Sequence, residues 1–83
     1  MLFLIFTEEG LNEAADEVLQ NKAELWLNPS LKQESDLSRF EQAGIELQWL
    51  PEKVDANNEK AVLSALSFVE KHSNDKAIFV EYL

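Results

Sequence analysis

Carboxylates are the chemistry this chain carries most of, with 16 Asp and Glu against 7 Lys and Arg in 83 residues. Gathered beyond the ends of parallel strands, a few carboxylates hold a hard divalent cation through one or two oxygens plus water. The residues spaced for that role are Glu8 and Glu9 after a first apolar run, Asn28 and Ser30 after a second, and Glu52 after a third. Glu81, inside the last apolar run, is placed to reach the same rim. A plainer account competes. Glu8 and Glu9 suit the first turn of a helix for dipole reasons alone, and a chain this acidic sets carboxylates on every edge.

The remaining candidates are single residues. Trp26 shares a strand face with Glu24 and Asn28, opposite Leu25 and Leu27, which sets it on the wetter face and makes it the best candidate for a protein contact. Trp49 shares its face with Ile45 and Leu47 and reads as core. His72, the lone imidazole, falls at a helix end where it caps carbonyls and meets the negative dipole end. Arg39, the lone arginine, pairs most simply with Asp36 on one helix face.

Composition removes whole classes of function. With no cysteine there are no disulfides, thiolate ligands or Cys nucleophiles, and one histidine precludes a multi-imidazole site. Two glycines cannot build a Gly-rich phosphate loop. A net charge of −9 argues against nucleic acid or an anionic membrane as partner. Leu2 to Phe6 is far too short for a membrane helix and lacks preceding basic residues, so it reads as a buried strand and the protein is expected in the cytoplasm.

The elements that must position these residues alternate along the chain. Strands are expected at Leu2 to Phe6, Ala23 to Leu27, Ile45 to Leu50 and Ala77 to Tyr82. The first helix is capped by Thr7, with Asn12 as a competing cap, buries Leu11, Ala14, Ala15, Val18 and Leu19, and closes at Asn21. A second helix starts near Glu34 or Ser35 and ends at Ala43 before Gly44, and a third runs from Asn58 to His72. Strands one and four, almost wholly apolar, read as the buried pair, and the alternating third strand reads as an edge.

One domain over residues 1–83 follows, of class α/β in the order β-α-β-α-β-α-β. Right-handed crossovers give a mostly parallel four-stranded sheet, with strand order 2-1-3-4 favoured over 2-1-4-3 and three helices divided unequally between its faces. The rim invites comparison with receiver domains of two-component signalling, but Leu50-Pro51 stands where an Asp should end the third strand and a fifth strand with its lysine is missing; toprim-type metal domains fail too, since no Asp-x-Asp pair occurs. The favoured function is a non-catalytic protein-binding or regulatory module with a basic protein partner, monomeric or homodimeric, needing no cofactor and no metal. Two alternatives are a small-molecule or metal-dependent enzyme using the rim carboxylates, and an acidic mimic of nucleic acid.

Overall fold

The computed structural model describes residues 1–75 and 77–81, with Glu34 described for its backbone alone. The elements are β1 (Leu2–Ile5), α1 (Glu8–Asn21), β2 (Glu24–Leu27), α2 (Leu31–Glu34), α3 (Ser38–Gln42), β3 (Leu47–Trp49), α4 (Glu59–His72) and β4 (Ile78–Val80). All four strands run parallel, so the chain is α/β as expected, but the sheet order is β3-β2-β1-β4. Among the described residues no helix is long and apolar enough to cross a membrane.

The favoured order 2-1-3-4 is therefore corrected. β1, β2 and β3 lie side by side, and the step from β3 to β4 crosses back over the sheet. Keeping each connection right-handed puts α1, α2 and α3 on one face and sends the returning helix α4 to the other. The two cores follow that division. Phe3 and Ile5 of β1 and Leu25 and Leu27 of β2 pack with Leu11, Ala15 and Val18 of α1, and with Leu31, Leu37 and Phe40. On the opposite face Leu2, Leu4, Phe6 and Trp26 pack under Val62, Ala65 and Val69 of α4. Burying a side chain such as Leu4 or Leu25, each fully inaccessible, contributes on the order of 2–3 kcal/mol.

The buried strands are β1 and β2, not the first and fourth. β4 lies at an edge, and Phe79 at its centre is 47% exposed despite stacking on Phe3 at 5.1 Å. Apolarity alone misleads here, because a large hydrophobic residue is often only half covered. β3 is the other edge, in agreement with the polar alternate positions Glu46, just before it, and Gln48.

Local signals set the helix ends. Thr7 caps α1, its hydroxyl accepting from the Gly10 N–H at 3.1 Å, and Asn58 caps α4 by accepting from the Ala61 N–H at 3.2 Å. α1 closes one residue later than expected, at Lys22, which takes the left-handed conformation with φ 50°. The helix expected from Glu34 or Ser35 to Ala43 starts later, as α3 at Ser38, and a separate short helix, α2, precedes it. Asp36 interrupts them by accepting from the Ser38 N–H at 3.0 Å and from the Ser38 hydroxyl.

Candidate functional site

In an open parallel sheet the carboxyl ends of the strands form the natural mouth for a ligand. Here the Thr7–Glu8 turn, Asn28, Ser30 and the loop after β3 enclose an open cleft of about 520 Å³. Glu8 and Asn28 meet there, joined by Lys53 and Asp55. Glu9 is exposed on α1 and does not line this cleft; Glu52 lines an adjoining one of about 360 Å³, which shares Lys53 and Val54 with it and reaches Leu50, Ala65 and Phe68 on the α4 side. The expected convergence of Glu8, Glu9 and Glu52 on one mouth is thus corrected. The loop from Pro51 turns Glu52 toward α4 and carries Asp55 to the mouth in its place. Lys53 and Asp55 were missed, although a polar stretch after a third parallel strand has to run along this rim.

Two polar side chains of the rim are occupied by backbone. Asn28 is 2% exposed; its amide nitrogen donates to the Phe6 carbonyl at 3.2 Å and the Val54 carbonyl at 2.7 Å, and its oxygen accepts from the Val54 N–H at 3.0 Å. It ties the loop after β3 to the end of β1. Glu81 reaches the rim and accepts from the Phe6 N–H at 2.7 Å, the Thr7 N–H at 3.0 Å and the Thr7 hydroxyl. Gly10 makes room for it: a Cβ there would stand 2.2 Å from the Glu81 carboxyl carbon. The start of α1, where a ligand anion would be favoured, thus holds a carboxylate of the chain itself. Among the described residues no group of three or more His, Asp or Glu side chains comes together to hold a metal ion.

Trp26 is not an exposed contact residue. It does share a face with Glu24 and Asn28, but α4 covers that face, leaving the indole 6% exposed with Phe68 edge-on at 6.1 Å. The polar neighbours that made this face read as wet serve the core: Glu24 accepts from the indole N–H at 2.8 Å, and Asn28 serves the backbone. Trp49 is half-buried against the other core, with the Lys32 ammonium 5.2 Å from its ring centre. His72 stacks on Phe68 at 4.0 Å, with Nδ1 2.8 Å from the Phe68 carbonyl oxygen, in the helix-end position expected for it. Arg39 turns from Asp36 to donate to Asn12 at 2.9 Å. The Ser38 hydroxyl, then the Ser38 N–H, hold the Asp36 carboxyl below the ordinary carboxylate range, and Arg39 adds a smaller attraction.

Two surface features remain. Glu8, Glu9, Glu13, Asp16 and Glu17 are all exposed on α1, a helix without a single Lys or Arg. β4 pairs with β1 on one side and with no further strand on the other among the described residues. The chain matches no protein-family model, no curated protein and no solved structure.

Proposed function

We propose that the chain is a non-catalytic protein-binding module whose partner presents a basic surface. The observation that carries this reading is the outer face of α1, five exposed carboxylates over fourteen residues with no cation among them. Such a face attracts and orients a positively charged partner, and the effect weakens as salt screens it. The rim fits an enzyme less well. Its Glu81 carboxylate and Asn28 amide hold backbone in place, and Glu8 and Glu52 line different, adjoining clefts.

The test is an NMR titration with a soluble peptide of alternating lysine and serine, which offers charge without an apolar face. Amide shifts should concentrate on α1, and affinity should fall steeply between low and physiological salt. The triple variant Glu9→Lys, Glu13→Lys, Asp16→Lys should weaken binding by about ten-fold or more. Absence of α1 shifts at millimolar peptide, or unchanged affinity in the triple variant, refutes the reading.

A further inference from the structure

The geometry points to the open edge of β4 as the docking site, taking an extended segment of the basic partner as a fifth strand. This rests on the module reading above and adds where and how the partner binds. In the parallel ladder with β1, the bonds toward β1 run from the Leu2 N–H to the Ala77 carbonyl and from the Glu81 N–H to the Leu4 carbonyl, with Phe79 opposite Phe3 between them. Odd-numbered positions of β4 thus spend their backbone groups on β1. Alternation turns the N–H and C=O of Ile78 and Val80 outward, at an edge with no further strand among the described residues. Unpaired strand edges of this kind recruit another strand.

Side chains say which strand. Phe79, 47% exposed, offers the added segment an apolar contact on the α1 face. α1 stands beside it, since Gly10 abuts the Glu81 carboxylate at the end of β4. Helical spacing from Gly10 puts Glu13, Ala14 and Glu17 on the same flank. Side chains of the added strand that share the α1 face are two residues apart, so an occupant whose alternate positions are basic, apolar and basic sets the apolar one against Phe79 and its cations toward Glu13 and Glu17. A second copy is a poor occupant, because each copy carries a net charge of −9 and would bring its own acidic helix to the contact.

The experiment compares a soluble peptide repeating lysine–threonine–valine–threonine, which brings lysine and valine to one strand face, with the lysine–serine peptide on the intact chain. The valine-containing peptide should shift the Ile78 and Val80 amides and slow their hydrogen exchange. Phe79→Thr, which keeps a strand-forming residue at a largely exposed position, should weaken it by about ten-fold and leave the lysine–serine peptide unaffected. Shifts confined to α1 with both peptides, Ile78 and Val80 being unchanged, overturn strand addition and leave the module reading standing. No binding of either peptide overturns both. Concentration-dependent shifts at Ile78 and Val80 without peptide identify a second copy as the occupant and overturn the basic segment.

Discussion

Gly10 and Glu81 form one unit, because the carboxylate lies where a side chain at position 10 would begin. Gly10→Ala should therefore destabilise the protein, since the added methyl drives Glu81 from the Phe6 and Thr7 donors, a loss of about 1–3 kcal/mol that outweighs the alanine's helix preference. In a Glu81→Ala background the same substitution should stabilise by up to about 1 kcal/mol, because only the helix preference remains. Urea unfolding of the four proteins of that cycle reads the change of sign, and equal effects in both backgrounds would show the two residues to be independent. Asn28 is as tightly committed. Asn28→Asp keeps the shape but turns a carboxylate oxygen on the Phe6 and Val54 carbonyls, and should cost about 3 kcal/mol or more at neutral pH.

At the scale of elements, the caps answer to local chemistry. Asn58→Ala should remove about 1 kcal/mol from the stability of the domain, measured by thermal or urea unfolding. Asp36 gives a pH signature: its folded-state carboxyl lies below the ordinary value of 3.8, so its stabilising contribution is present above that value and is lost as pH falls through the folded one. Stability profiles of the wild type and Asp36→Asn should hence be separate at neutral pH and converge in acid, and a gap unchanged into acid would contradict the assignment. The Thr7 cap, the α1 stripe and the edge character of β3 were legible because each depends on residues within a few positions of one another. Strand order was not, since it depends on which face each crossover takes. Trp26 was assigned the right face and the wrong exposure, as nothing in its neighbourhood announces that Phe68 of α4 comes to rest on it. The rim was legible as a place, with Glu8 and Asn28 on it, but not as a set, because Glu52 turns away along a loop whose path no local pattern fixes.

Over the whole molecule the excess negative charge works against compaction. Raising salt from about 10 mM to about 150 mM shortens the reach of that repulsion to roughly 8 Å, so the melting temperature should rise with added sodium chloride. A melting temperature that fell instead would mean that attractive ion pairs outweigh the repulsion. The unequal helix layers have a parallel effect: with α4 alone on its face, the packing of Val62, Ala65 and Val69 on β1 and Trp26 carries one entire core. Finally, the first and last strands are adjacent and point the same way. Tension applied through the start of β1 and the end of β4 makes the two slide along each other. The rungs between them, and the clasp of Glu81 on Phe6 and Thr7, are then loaded together in shear rather than unzipped singly, a geometry that resists mechanical extension applied at those two points.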